Sequence, residues 1–359
     1  MTPLAKRFVL VSNGPGEVSN WVWPVVMRMR ACHPEAWIEV ALVPCQYASG
    51  GEAAWVRQFP VDRVMTPSET LGALLRGWPS DPSPVTTVVG LGGDPMYARL
   101  IGWKTGAKVI RYTESRTDRG KGVYSLATMG DLMASRMALA FPEGKPVVDP
   151  TLCTSNPFRL LWVPSSRPYQ LAAFGPFSVA TIQVLCRHHP EWHMAIMRAP
   201  SIREEDWASS LQGLPESVEV VPHDLSAIAH ADLMVSLPGT VTAEAGYLHT
   251  PMLTVLPLND PRRIRLDGLL GLVGECPGVG PLLKRAVIQV LKNRPRLLAI
   301  PNRRLGRAVV PEYMGVMTPE DLARRVIATS DPAVLARCRS GLAALTPSLV
   351  PVDTLMAAL

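Results

Sequence analysis

The sequence predicts an α/β protein built as two doubly wound parallel-sheet domains in tandem. Three observations carry this expectation. Short β-branched runs alternate with helical patterns along most of the chain, as in βαβ units with parallel sheets. The 359 residues suit two domains of roughly 100–200 residues each. Between residues 142 and 158 the stretch PEGKPVVDPTLCTSNPF packs four prolines among polar turn formers, which reads as a linker.

Taken in order, FVLVS, WIEVALV, TTVVGL and AKVIRY are the expected strands of the first domain, residues 1–155. RLLWV, HMAIM, VEVV, DLMVSL and PMLTVL follow in the second, residues 156–330. A helical stretch, DPAVLARCRSGLAAL, opens the last segment, 331–359, which is free to cross back to the first domain. Between the first two strands, Val18, Trp21, Val22, Val25 and Met29 share one helical stripe, the buried face of the first helix, while Trp23 and Met27 fall off it. In ETLGALLRGW, Leu71, Leu74, Leu75 and Trp78 share a face. Core packing explains that spacing, and so does a lipid-facing surface with Arg76 beside it.

Composition narrows the function classes. At 47% hydrophobic and 18% charged the chain can fill a large core and does not read as disordered. The formal charge of +6 fits an anionic partner such as phosphate or an acidic membrane surface, and equally an ordinary mildly basic protein. Six scattered cysteines with no C-x-x-C fit free thiols in a reducing cytosol. No apolar run approaches the ~20 residues that span a bilayer. The arginine clusters DPRRIR and NRRLGR come without any DNA- or RNA-binding signature, so no nucleic-acid partner is expected. His189 and His193 stand four apart in HHPEWH, but Pro190 interrupts the helix a metal pair would need.

The chemistry-bearing motifs fall just after strands, where ligands bind in open α/β sheets. In NGPGEVSNW, Gly14 and Gly16 fit a dinucleotide fingerprint, yet Ser19 stands where its third glycine belongs. The two glycines let the backbone approach a ligand, and Glu17 and Ser19 can hydrogen-bond an acceptor hydroxyl or phosphate. The plainer reading is a helix start favoured by Glu17. In VPSSRPYQL, Pro168 suits a helix first turn, placing Ser165, Ser166 and Arg167 at its N-terminus. Hydroxyls, orphan amides and a guanidinium there make a phosphate site, or an ordinary capped helix with an exposed arginine. In SLPGTVTAEAG, Gly239 permits a tight turn, Thr240 can cap the next helix, and Glu244 can accept the two hydroxyls of a ribose. A solvated helix glutamate is the alternative.

Four segments, in order, resemble the lipid A disaccharide synthase family. SLPGTVTAEAGYLHTPMLTV is similar to its donor segment S-G-T-x-x-x-E with T/C-P-M, and VPSSRPYQL to its L-P-G-S-R. AIPNRRLGRAVVPEYMG resembles L-P-N-L-L-x-G-R-x-x-x-x-E-L, and Gly16, Glu17 and Ser19 match A-G-E-x-S-G-D. The resemblance implies a GT-B fold, two Rossmann-like doubly wound domains facing a cleft. It further implies a UDP-sugar donor and a glycolipid-type acceptor, with Arg167, Gly239, Thr240, Glu244, Asn302 and Glu312 on the donor side. The chain departs from the family in the acceptor half. Asn20 and Trp21 follow Ser19, Gly92 stands where the family has its catalytic aspartate, with Asp94 two residues on, and TESRTDRG replaces an aromatic segment.

The expectation is therefore an inverting, metal-independent glycosyltransferase. It would move a sugar, with an N-acetylglucosamine derivative favoured, from UDP to a lipid-linked or amphipathic acceptor. Asp94 or Glu17 would be the base; no cofactor is expected beyond the UDP-sugar substrate. A cytoplasmic location, peripheral on the inner face of an anionic membrane, is compatible, as is a homodimer. A UDP-sugar epimerase or hydrolase, or a non-catalytic nucleotide-sugar-binding protein, are the rivals.

Overall fold

All nine apolar runs are strands, and among the described residues three short strands join them. The first sheet holds β1 (Arg7–Ser12), β2 (Trp37–Leu42), β3 (Arg63–Met65), β4 (Thr87–Gly90), β5 (Lys108–Thr113) and β6 (Val123–Ser125). The second holds β7 (Arg159–Val163), β8 (His193–Arg198), β9 (Glu219–Pro222), β10 (Leu233–Ser236), β11 (Met252–Pro257) and β12 (Glu312–Gly315). The computed structural model describes residues 6–45, 48, 50–80, 83–115, 118–144, 157–259 and 297–359. Most of the expected linker, the DPRRIR cluster, Cys153 and Cys276 lie outside the described residues.

The strand orders are β3-β2-β1-β4-β5-β6 and β12-β11-β10-β7-β8-β9. Every pairing is parallel. Each sheet thus reverses direction of growth once, at β1/β4 and at β7/β10. Loops leaving the carboxyl ends of such neighbouring strands diverge to opposite faces and leave a crevice.

Side-chain alternation explains why helices cover both faces. In β1, Phe8 and Leu10 enter one core layer with Ile38, Val40 and Val89, while Val9 and Val11 enter another with Ala41, Val88 and Ile101. In the first domain these strands are connected by α1 (Pro15–Glu17), a π-turn (Val18–Val22), α2 (Trp23–Cys32), α3 (Glu52–Val56), α4 (Pro67–Arg76), α5 (Pro95–Thr105), α6 (Leu126–Met129) and α7 (Leu132–Ala140). The second domain has α8 (Pro168–His188), α9 (Glu204–Ser210), α10 (Leu225–His230), α11 (Val241–Tyr247) and later helices at Ile300–Leu305, Pro319–Thr329 and Pro332–Leu342.

Contacts divide the chain into Met1–Lys145 with Thr346–Leu359, and Pro146–Leu345. The helix Pro332–Leu342 therefore belongs with the second unit, and only the helix Val350–Ala357 returns to the first. There Val352 and Leu355 are fully buried, Arg28 pairs with Asp353 at 2.6 Å, and Ser135 Oγ accepts the Val352 N–H at 3.1 Å.

The first helical stripe is buried at Val18, Val22, Val25 and Met29, with Val26 added. A π-turn carries one extra residue, so the buried face steps round the helix. Trp21 and Trp23 pack against the same core, and Met27 stays exposed.

The face of ETLGALLRGW is divided. α4 starts as TPSE dictates, with Thr66 and Glu69 exchanging hydrogen bonds in a capping box and Pro67 in the first turn. Leu74 and Trp78 then pack against the core, whereas Leu71 is exposed and Leu75 is 84% exposed. On the adjoining α5, Met96, Leu100 and Trp103 share a face and are also exposed, Trp103 at 81%. Lys104 ties the two helices by donating from Nζ to the Leu74 carbonyl.

α8, at 21 residues, is long and apolar enough to cross a bilayer, which the sequence reading did not register. Its Leu171, Phe174, Val179, Ile182 and Leu185 are instead buried against the second sheet with Trp162 and Leu160. It is a core helix. Cys32, Cys186 and Cys338 carry free thiols, and burial pushes the Cys338 thiol up to about 11, which makes it unreactive.

Candidate functional site

The sequence-predicted motifs, that of Asn302 and Glu312 excepted, lie at the two switch points. In the first domain Val11 pairs in register with Gly90, and Ser12 Oγ donates to the Leu91 carbonyl at 3.0 Å. The β1–α1 loop and the β4–α5 loop are thereby held side by side. Glu17 joins them. A Cβ built on Gly14 would run into the Glu17 carboxylate, and one on Gly92 would lie 2.8 Å from Glu17 Cγ. Gly92 has φ +119° and Gly93 φ +75°, conformations that glycine adopts without penalty. The room that an aspartate would need at position 92 is filled by Glu17.

Asp94 lies on the same β4–α5 loop. It is exposed and is the N-cap of α5, its Oδ1 accepting the Met96 N–H at 2.8 Å. One oxygen of its carboxylate thus serves the helix start. Gly16 and Ser19 are half-buried, Ser19 on the π-turn. Behind them lies a polar contact that sequence reasoning missed. Asn20 is fully buried, donates from Nδ2 to the Gly16 carbonyl at 3.2 Å and accepts from Arg136 Nη1 at 2.9 Å. π-turns concentrate at functional sites, but nothing in the residue pattern signals one.

In the second domain Val163 pairs in register with Ser236, which puts the β7–α8 and β10–α11 loops side by side. Ser165 Oγ accepts the Arg167 N–H at 3.0 Å and donates to Gln170 Oε1 at 2.8 Å. The Ser166 carbonyl accepts from Ser201 Oγ at 3.2 Å, linking this loop to the one after β8. Arg167 is the N-cap residue of α8, Pro168 its first residue, and the guanidinium Nη1 lies 3.5 Å from the Tyr169 hydroxyl. The start of a 21-residue helix, two serines and an arginine thus stand together, a set suited to phosphate oxygens.

The β10–α11 loop departs from expectation at two residues, Thr240 and Gly239. Thr240 sits at the N-cap position but makes no side-chain cap. Thr242, inside α11, donates to the Gly239 carbonyl at 2.7 Å and accepts the Ile300 N–H, at the start of the helix Ile300–Leu305, at 3.0 Å. Gly239 has no positive φ, and a Cβ there would meet nothing within 4 Å. With seven residues, α11 adds little dipole, so the long-helix contribution comes from α8. Glu244 is no solvated side chain: it is 2% exposed and its Oε2 lies 2.8 Å from His223 Nε2.

Asn302 and Glu312 lie outside both loops. Asn302 is fully buried; its Nδ2 donates to the Val310 carbonyl and Glu312 Oε1, and its Oδ1 accepts from Val309 and Val310 N–H. Two donors and two lone pairs are all an amide side chain has. Glu312 Oε1 also accepts the Leu298 and Ala299 N–H groups at 2.9 and 2.6 Å. These two residues brace the helix Ile300–Leu305, which in turn meets Thr242; Asn302 has no hydrogen-bonding capacity left for a ligand. His189 and His193 also serve separate roles, the first beside Glu191 and Trp192 and the second beside Glu219.

Neither a family model nor a curated protein matches the sequence. Solved structures do. The Staphylococcus aureus MnaA structure with UDP aligns with TM-score 0.56 at 8% identity, over 98% of this chain and 95% of that one. A Listeria monocytogenes protein described as a UDP-N-acetylglucosamine 2-epimerase gives 0.55 at 9% identity, over 99% and 95%. The glycotransferase of kitacinnamycin gives 0.53 at 16%, over 99% and 100%. At such identities the likeness establishes the fold: the chain is of the GT-B type, two Rossmann-like doubly wound domains.

Proposed function

We propose that the protein is a glycosyltransferase that uses a UDP-sugar, with the nucleotide bound at the β7/β10 switch point. The observation that carries this reading is the juxtaposition of Ser165, Ser166 and Arg167 at the start of α8 with the loop leading to Glu244, held by the Val163–Ser236 register. The guanidinium and the α8 amides would stabilise charge developing on a departing diphosphate, and a carboxylate one turn into α11 would take the ribose. The shared fold with a UDP-bound structure and with a glycotransferase supports the class. An N-acetylglucosamine donor and a lipid-linked or amphipathic acceptor follow from the resemblance to lipid A disaccharide synthase. Glu17 is the better candidate for the base than Asp94, because Asp94 caps α5 while Glu17 covers Gly92.

The test is a thermal-shift titration with UDP. UDP stabilises the wild type by ligand linkage, and Arg167→Ala and Glu244→Ala lose most of that shift. Equal shifts in all three proteins would remove both residues from the donor site. UDP-sugar consumption without any acceptor would favour the epimerase or hydrolase reading instead.

The acceptor reading extends to a membrane surface. Leu71 and Leu75 on α4, with Met96, Leu100 and Trp103 on α5, form an exposed apolar face beside Arg76 and Arg99. Apolar side chains flanked by cations suit an anionic interface. Sedimentation with phosphatidylglycerol vesicles is expected to fall several-fold in Leu75→Glu/Trp103→Glu; unchanged sedimentation would discard the membrane contact.

A further inference from the structure

The residue that the sequence reading passed over in the second domain is His223. It follows β9 directly, between Pro222 and Asp224, and Asp224 caps α10 by accepting the Ser226 N–H at 2.9 Å. A fixed proline φ on one side and a helix cap on the other hold the backbone at this position with little freedom. The ring then reaches α11, where its Nε2 lies 2.8 Å from Glu244 Oε2. The imidazole side chain is 11% exposed and the Glu244 side chain 2%. The loop between α11 and β11 is tied to α10, where Thr250 Oγ1 donates to the Ile228 carbonyl at 2.8 Å.

Physical chemistry gives this pair a purpose beyond packing. Glu244 stands on a helix whose other residues, VTA and AGY, are small or apolar. A carboxylate buried there is costly unless hydrogen-bonded, and with freedom about its χ angles it would present its oxygens in several directions. A donor anchored in the β9–α10 loop restricts that freedom. Both residues lie beyond the carboxyl ends of their strands, on the side of the sheet where ligands enter.

Resting on the nucleotide reading above, we infer that His223 is a positioning residue: it fixes the Glu244 carboxylate for a ribose diol and so makes the site selective for ribonucleoside over 2′-deoxyribonucleoside diphosphates. A hydroxyl donating to a charged acceptor contributes severalfold to a hundredfold in affinity. That increment depends on the carboxylate being held in one orientation.

The experiment is calorimetric titration of the full chain with UDP and with 2′-deoxy-UDP. The wild type is expected to prefer UDP by about tenfold or more. His223→Ala loses most of that preference through weaker UDP binding, with 2′-deoxy-UDP binding little changed. His223→Gln, whose amide nitrogen can stand in for Nε2, restores the preference; His223→Asn, one methylene shorter, does not. Should His223→Ala fail to fold, the Gln and Asn pair still decides the matter. A preference undiminished in His223→Asn or His223→Ala, or tighter UDP binding on removal of the ring, overturns the positioning role while leaving the nucleotide site intact. Absence of UDP binding in the wild type overturns the nucleotide reading itself.

Discussion

Glu17→Gln is expected to lower sugar transfer by about 10²–10⁴-fold, the usual worth of a positioned general base, while UDP binding stays at the wild-type level. The amide keeps the size of the side chain and its path over Gly92, so the loops at the β1/β4 switch point keep their arrangement. Only the capacity to take a proton is lost. Asp94→Asn is the paired control. Asparagine caps helices as well as aspartate does, so α5 is preserved, and turnover is expected to change by less than about threefold if Asp94 serves only as a cap. UDP release from UDP-N-acetylglucosamine in the presence of a lipid extract measures both. Full activity in Glu17→Gln, or its loss in Asp94→Asn alone, would move the base to the other residue.

The three strands among the described residues that escaped the sequence share one physical trait, which of the nine legible strands only β9 also has. β3, β6 and β12 are three or four residues long and each lies at a sheet edge. An edge strand pairs on one side and buries less, so RVM, VYS and EYMG carry no continuous apolar run. The central strands, covered by helices on both faces, must be apolar throughout and announce themselves.

The site divides along a similar line. Segments such as VPSSRP and SLPGT are legible because turn formers after a strand have local causes. Partners drawn from distant segments are not. His223 and Glu244 are 21 residues apart, Asn20 and Arg136 are 116 apart, and Thr242 meets Ile300 across 58. The motif containing Asn302 and Glu312 could be matched as a string, but only their hydrogen bonds showed that Asn302 turns inward. Family strings report which residues recur together; saturation of an amide's four hydrogen-bonding sites reports what the residue does.

Arg7→Ala is expected to destabilise the first domain by about 3–5 kcal/mol, the cost of leaving one member of a buried ion pair alone. Read as sequence, Arg7 with Lys6 merely flanks an apolar run. In the fold it is the first residue of β1 and fully buried. Its Nη2 meets Glu39 Oε2 at 2.7 Å, and its Nη1 donates to the Pro79 and Ser83 carbonyls at 2.8 Å each. Arg63 Nη1, 3.7 Å from the same carboxylate oxygen and 31% exposed, is too distant and too solvated to replace it. Removing the guanidinium therefore strands Glu39 and frees the chain before β4 at once. Arg7 stands at the amino end of β1, opposite the edge that carries Glu17 and Gly92. Stability and function are accordingly expected to separate. Calorimetry should show the first-domain transition lowered by roughly 10 °C, while UDP affinity, assigned by the proposed site to the second domain, stays within twofold of wild type by the additivity of distant sites. The double variant Arg7→Met/Glu39→Leu should recover most of the loss, since an apolar pair of similar volume leaves no charge behind. An Arg7→Ala protein melting with the wild type would mean that water reaches Glu39.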